Sequence, residues 1–240
     1  MDVQEKVVVI TGASAGIGLA TARRFATAKA KVVMAARSGD KMETVAEELQ
    51  ANGAQVFTVP TDMRNPEAVK QLVESTIQHF GRIDILVNNA GQSVAGRIAD
   101  LDTDHFQEII ALNLFGPLYA MQAVIPAMRQ NGGGLIINIS SMVSKMSIPG
   151  LAGYASTKAA LNLISDTARG ELATDNIRVI SVFPGVTATD FGKNALGNQQ
   201  LRQQQRGSMP TNIVPDSAEF VADKILEAAQ NEPAEQYMHS

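Results

Sequence analysis

The chain has 240 residues, 45% of them hydrophobic and 18% charged, a balance that excludes a disordered protein and suits one folded body. It contains no cysteine, which removes disulfides, thiol nucleophiles and thiolate metal sites; its three histidines (His79, His105, His239) show no paired ligand spacing, so metal-free chemistry is expected. A net charge of -4 gives no general attraction to nucleic acid or to an anionic membrane, and neither is expected as a partner.

The opening MDVQEK runs directly into a strand pattern, leaving no room for a signal peptide, and no apolar stretch reads as a membrane span; a cytoplasmic protein is expected. KVVVI (6–10) reads as a buried parallel strand, and a glycine-punctuated turn and a helical pattern follow it. KVVMAA (31–36), AQVFTV (54–59), IDILVNN (83–89), GLIINIS (134–140) and IRVISVF (177–183) complete six strong strands. Helical patterns lie between them, such as Glu67 to Phe80 with Val69, Leu72, Val73 and Ile77 on one face. Two longer ones are Thr103 to Met128, interrupted by Gly116 and Pro117, and Tyr154 to Thr174. From Thr187 to Pro215 no strand or long helix is evident, which fits either a lid or binding loop or a solvated surface loop. A last helix is expected over Asp216 to Ala229, starting with an Asp/Ser cap signal, and a short strand is possible around Glu235 to Met238.

Regular alternation of strand and helix implies a mostly parallel sheet, either doubly wound or closed as an eight-stranded barrel. Six strands, with the glycine turn after the first of them, favour an open three-layer α/β/α sheet in a single domain over residues 1–240. Within it, 187–215 is the candidate substrate loop or lid.

Two motifs carry chemistry. Gly12, Gly16 and Gly18 stand in the turn TGASAGIG between the first strand and its helix. Glycines permit a tight turn and a close backbone approach, and the helix behind presents unpaired N–H groups to a phosphate. Tyr154 and Lys158 stand one helical turn apart in GYASTKAAL, with Ser141 upstream at a strand end. A lysine at i+4 can lie beside the phenol and favour its ionised form, turning a side chain of ordinary pKa about 10 into a proton donor and acceptor.

With TGASAGIG, NNAG (88–91), Asn113, Ser141, YASTK and PGVTATDF in that order, the chain resembles the short-chain dehydrogenase/reductase family across nearly its full length. The resemblance implies a Rossmann-type fold, a nicotinamide cofactor and hydride exchange with a carbonyl or alcohol. It implies that Tyr154 is the acid in reduction and the base in oxidation, that Lys158 binds the nicotinamide ribose and lowers the tyrosine pKa, and that Ser141, rather than its neighbour Ser140, hydrogen-bonds the substrate oxygen. Asn113 would hold the lysine and a relay water. Gly12, Ser14, Ala15, Gly16, Ile17 and Gly18 would surround the adenine ribose and pyrophosphate, and Asp62 and Met63 would meet the adenine. Asn89, Ala90 and Gly91 would line the cofactor, and Pro184, Gly185, Val186, Thr187 and Thr189 would close over the nicotinamide side.

An acidic residue at the end of the second strand would favour NAD(H) by binding the ribose 2′-OH. Here Ala36 is followed by Arg37 and Ser38, and an arginine fork suits a 2′-phosphate, so NADP(H) is expected over NAD(H). Ser14 stands where some NADP-using relatives carry a basic residue, which leaves the preference to Arg37. Val94, Met142, Val143, Met146, Ile148 and Phe191 lie near the site by motif position and point to an apolar or medium-sized carbonyl. The reading is thus an NADP(H)-dependent reductase of aldehydes or ketones, assembled as a homodimer or homotetramer. The alternatives are an NADP(H)-binding regulatory module without turnover, an NAD-dependent alcohol dehydrogenase, or a dehydration or epimerisation on the same scaffold. The closing NEPAEQYMHS departs from the family's glycine-containing tail and puts that tail's subunit contacts in doubt.

Overall fold

The computed structural model describes residues 1–198 and 214–239. Its strands are β1 (Val7–Thr11), β2 (Lys31–Ala36), β3 (Gln55–Pro60), β4 (Ile85–Asn88), β5 (Val94–Ala95), β6 (Gly134–Ile139), β7 (Ile177–Phe183), β8 (Leu196–Gly197) and β9 (Glu235–Tyr237). The helices are α1 (Gly16–Thr27), α2 (Gly39–Ala51), α3 (Pro66–Phe80), α4 (Thr103–Ile110), α5 (Gly116–Gln130), α6 (Ala152–Glu171) and α7 (Ala218–Asn231).

Seven strands form one parallel sheet in the order β3-β2-β1-β4-β6-β7-β9, the open doubly wound arrangement rather than a barrel. The pleat sends alternate residues to opposite faces. Val8, Ile10, Val32, Met34, Val87, Ile137 and Ile180 pack with Phe25 of α1, Met42 of α2 and Ile225 of α7. Val7, Val9, Val33, Leu86, Ile136 and Val179 pack on the other face with Leu72 of α3 and Met121 and Val124 of α5. Both faces are covered, which is why the strands read as unbroken apolar runs rather than alternating ones.

The sequence places the six principal strands within two residues of their ends, and β9 falls where a short last strand was possible. The α3 boundaries follow from local chemistry. Asn65 accepts from the N–H groups of Glu67 and Ala68, Pro66 occupies the first turn, and Gly81 closes the helix at φ 80°. Three expectations need correction. The last helix starts at Ala218, because Ser217 is its cap while Asp216 binds backbone upstream. The stretch after Thr187 does hold a strand, since β8 pairs in parallel with β5. Finally, the continuous helical run Thr103–Gln130 is long and apolar enough to cross a membrane by length and composition. It lies instead on the sheet, with Ala120, Met121, Val124 and Met128 buried in the core. Its middle, Ala111–Phe115, is a π-helical turn that merges α4 with α5.

Strand order reverses between β1 and β4, and the crevice at their carboxyl ends is where an open α/β sheet binds ligands. The glycine turn, the Asn89 turn and Ser141 all lie along that edge.

Candidate active site

The β1–α1 turn is shaped by what it must avoid. Gly12 adopts φ +67°, and a Cβ there would stand 2.8 Å from the Ala90 Cα. At Gly18 a Cβ would meet the Gly12 carbonyl oxygen at 2.3 Å, so α1 packs against its own turn as closely as backbone allows. The helix begins without a side-chain cap at Ala15 and without an acidic residue in its first turn. Its N–H groups and dipole are therefore open to an anion, and these residues fit the pyrophosphate of a dinucleotide. Ser14, Gly16 and Ile17 are half-buried around this opening and Ala15 is exposed. Asn89 spends its side-chain amide on the carbonyls of Thr11 and Gly12, while the Thr11 hydroxyl accepts from the N–H groups of Asn89 and Ala90. The NNAG segment thus fixes the turn from the β4 side.

The next strand ends carry the charged groups. Arg37, just past β2, is exposed and makes no hydrogen bond or ion pair among the described residues. Asp62, just past β3, is held by Arg64, whose Nη2 and Nε reach its oxygens at 2.7 and 3.0 Å. Those hydrogen bonds keep the carboxyl below the usual carboxylate range. The Met63 side chain is buried in the core, and its carbonyl oxygen would stand 3.0 Å from a Gly116 Cβ at the start of α5.

Tyr154 and Lys158 lie on the buried face of α6, 8% and 4% exposed. Burial pushes the phenol up to about 12, and the neighbouring Ser141 hydroxyl opposes the rise. Lys158 donates from Nζ to the Ile139 carbonyl at 2.7 Å, and burial pulls it down to about 8. In the chain alone, then, the expected lowering of the phenol by the amine is not what the geometry gives. Desolvation outweighs proximity for both groups, because the lysine is turned to a carbonyl and both are out of water.

Asn113, fully buried in the π-helical turn, donates to the Gln92 carbonyl and the Thr157 hydroxyl and accepts from the Gln92 N–H. Its amide is spent on protein, so it reaches Lys158 only as a neighbour across Gly91, whose Cβ would stand 3.3 Å from Asn113 Oδ1 and 3.6 Å from Lys158 Nζ. Ser140 is separated from its neighbour in the same way. Its hydroxyl bonds Asn162, which donates to the Ser144 hydroxyl, which in turn donates to the Ser141 carbonyl. Asn162 lies on the Tyr154 and Lys158 face of α6, at i+4 from the lysine. Together with Gln92, Thr157 and Arg64 it belongs to the site without having been read from the sequence; continuing the i+4 series from Tyr154 would have found it.

Around the phenol the surface is apolar. Val94, Ile109, Leu101, Phe106, Val143 and Leu196 pack with Tyr154, and the Phe191 ring stands 5.7 Å from it. Of the residues expected near the site, Val94, Val143 and Phe191 meet it, Met142 and Ile148 are half-buried, and Met146 is 54% exposed. The Pro184 carbonyl accepts from the Met142 N–H, tying the end of β7 to the Ser141 turn. Gly185 and Val186 are exposed, and Thr187 is bridged to Asp216. Thr189 lies over the glycine turn, its methyl 3.3 Å from where a Gly16 Cβ would be. Residues 187–198 therefore cross both the phosphate turn and the phenol; 199–213 lie outside the described residues. The histidines stay apart: His79 stacks on Phe57, His105 pairs with Asp102 and His239 with Asp216.

A parallel doubly wound sheet with an open phosphate turn at its switch point and a Ser, Tyr, Lys group beside it defines a dinucleotide-binding oxidoreductase scaffold. The short chain dehydrogenase family profile matches residues 6–200, and the chain belongs to the short-chain dehydrogenase/reductase family. An uncharacterized oxidoreductase of Staphylococcus aureus strain USA300 is 38% identical over 202 residues, covering 83% of this chain and 87% of the relative. A 7 alpha-hydroxysteroid dehydrogenase, solved with NADH and 7-oxo glycochenodeoxycholic acid, is 31% identical with a TM-score of 0.87, over 98% of this chain and 93% of that one. An alcohol dehydrogenase from the archaeon Thermococcus sibiricus, solved with 5-hydroxy-NADP, is 32% identical with a TM-score of 0.75, over 88% and 94%.

Proposed function

We propose that the chain is an NADP(H)-dependent oxidoreductase of carbonyl and alcohol groups, working as a reductase of aldehydes or ketones. The observation that carries this reading is the buried Tyr154 and Lys158 on one face of α6, with Ser141 beside the phenol and apolar side chains around it, next to an α1 N-terminus that no side chain caps. A nicotinamide dinucleotide held there would supply or take up hydride. Tyr154 would pass its proton to the carbonyl oxygen, and the Ser141 hydroxyl would stabilise the charge developing on that oxygen. Burial keeps the phenol protonated, so its proton is at hand for the donor role in reduction. Lys158 would hold the ribose hydroxyls from its place beside the Ile139 carbonyl, with Asn113 fixing the Gln92 backbone next to it.

The residues from Gly12 to Gly18 would take the pyrophosphate, Asp62 the adenine edge, Asn89 to Gly91 the floor, and Pro184 to Thr189 the nicotinamide side. Residues 187–215 would serve as the substrate loop. The exposed Arg37 guanidinium, in no hydrogen bond or ion pair among the described residues, supports NADP(H). The apolar lining supports an apolar or medium-sized carbonyl. The chain would work in the cytoplasm as a homodimer or homotetramer through the exposed Phe115 at the α5 end and Leu163 on α6.

A spectrophotometric screen of carbonyls and alcohols with NADPH and NADH in parallel tests this reading. Oxidation of NADPH by an apolar aldehyde or ketone, lost in Tyr154→Phe, is the expected result. Cofactor binding with no turnover across the panel would instead favour a nucleotide-binding module.

A further inference from the structure

Resting on the NADP(H) reading, we propose that Arg64 is a specificity-determining positioning residue: it locks the Asp62 carboxylate in a fork and so leaves the Arg37 guanidinium available to a 2′-phosphate. The sheet register sets the problem. Ala36 and Pro60 are partners across β2 and β3, and the Thr61 N–H donates to the Ala36 carbonyl. Arg37 and Asp62 therefore leave neighbouring strands side by side, a cation and an anion with every reason to pair. A carboxylate on Arg37 would cancel the charge that a phosphate needs, and it would recreate the acidic environment that suits an unphosphorylated ribose.

The pairing observed is different. Asp62 Oδ1 accepts from the backbone N–H and Nε of Arg64, both at 3.0 Å, and Oδ2 accepts from Nη2 at 2.7 Å. Both carboxylate oxygens are thereby aimed at Arg64. The remaining arm, Nη1, donates to Glu108 of α4 at 2.8 Å. Arg64 is held at both ends and does not reach out to a ligand, whereas Arg37 makes no ion pair among the described residues and acts on Asp62 only as a nearby charge, the smallest of the influences that lower its carboxyl. A planar fork can satisfy two oxygens at once, which a lysine cannot.

Calorimetric titration with 2′,5′-ADP and with 5′-AMP reads the phosphate contribution without turnover, as the ratio of the two affinities. In Arg64→Met, Asp62 is released to Arg37 and the ratio is expected to fall roughly three- to tenfold. Adding Asp62→Asn to Arg64→Met should restore it, and Arg64→Lys, the milder variant should Arg64→Met fold poorly, should shift it less in the same direction. An unmoved ratio in both Arg64 variants, or no recovery on adding Asp62→Asn, overturns the proposal. The parent reading fails separately: if Arg37→Met leaves the ratio of the otherwise unchanged chain where it was, the NADP(H) assignment itself falls.

Discussion

Lys158 is bound from Nζ to the Ile139 carbonyl, the last residue of β6, at 2.7 Å, so the cation of the YASTK motif is anchored to the sheet rather than to the phenol four residues before it. A buried ammonium held by one carbonyl is poorly compensated, and its depression from 10.5 to about 8 expresses that cost.

The first prediction follows from the sign of that depression. Below about pH 8 the lysine is charged in both folded and unfolded chains, and the folded state bears the full burial penalty. Between about 8 and 10.5 the folded chain releases its proton first, so stability from this group rises with pH. At ~1.4 kcal/mol per pKa unit the gain is on the order of 3 kcal/mol. Tyr154 acts oppositely above 10, where the unfolded chain ionises while the folded one holds its proton to about 12. The thermal midpoint of Lys158→Met should exceed that of the unmodified chain at pH 7, with the gap closing towards pH 10. A gap independent of pH would contradict the buried ammonium.

Ser140 and Ser141 should separate cleanly. Ser141→Ala removes the hydroxyl that meets Tyr154 and is expected to cost ~10²- to 10³-fold in kcat. Ser140→Ala strands the Asn162 amide, and its cost of ~1–3 kcal/mol should appear as a lower unfolding midpoint, with a smaller effect on kcat. Equal kcat losses in the two variants would undo this division.

Tyr154→Phe keeps the ring against Phe191 and Val94 while removing the proton donor. Turnover should fall ~10²- to 10⁴-fold with NADPH affinity maintained. Stopped-flow and equilibrium binding on the same preparation would check both halves.

Arg37→Asp should move coenzyme preference towards NADH, by placing an anion where a 2′-phosphate would come and a ribose hydroxyl donor would be welcome. The ratio of kcat/KM values for the two coenzymes measures it; an unchanged ratio excludes Arg37 as the discriminating cation.

Gly18→Ala places a methyl group 2.3 Å from the Gly12 carbonyl, a contact with no flexible side chain to yield. The β1–α1 turn must open, at a cost of ~1–3 kcal/mol. Dinucleotide affinity and the unfolding midpoint should fall together, and an unaffected midpoint would mean that the turn yields to a methyl group without cost.

Most of the framework was legible because β1, β2, β4, β6 and β7 are buried nearly throughout and therefore written as largely apolar runs. β5 and β8 were not, since two-residue strands such as Val94–Ala95 and Leu196–Gly197 carry no periodicity. The i, i+4 spacing placed Tyr154 and Lys158 on one face of α6, but spacing does not encode desolvation, and that reversed the expected direction for the phenol. Arg64 escaped notice because its partners Asp62 and Glu108 meet only after β3 and α4 have packed. Asp216 was read as part of a helix; its backbone instead exchanges hydrogen bonds with Val186 and Ala188.

That last exchange ties Val186 and Ala188, just past β7, to Asp216, just before α7, and the bond between His239 and the Asp216 carboxylate reinforces the tie. Because loop closure costs only ~0.6 kcal/mol per doubling of length, the tie keeps the end of β7 beside the start of α7 almost regardless of how many residues run between them. The contact works as a clasp, so a change in the sequence it brackets need not shift either element it joins.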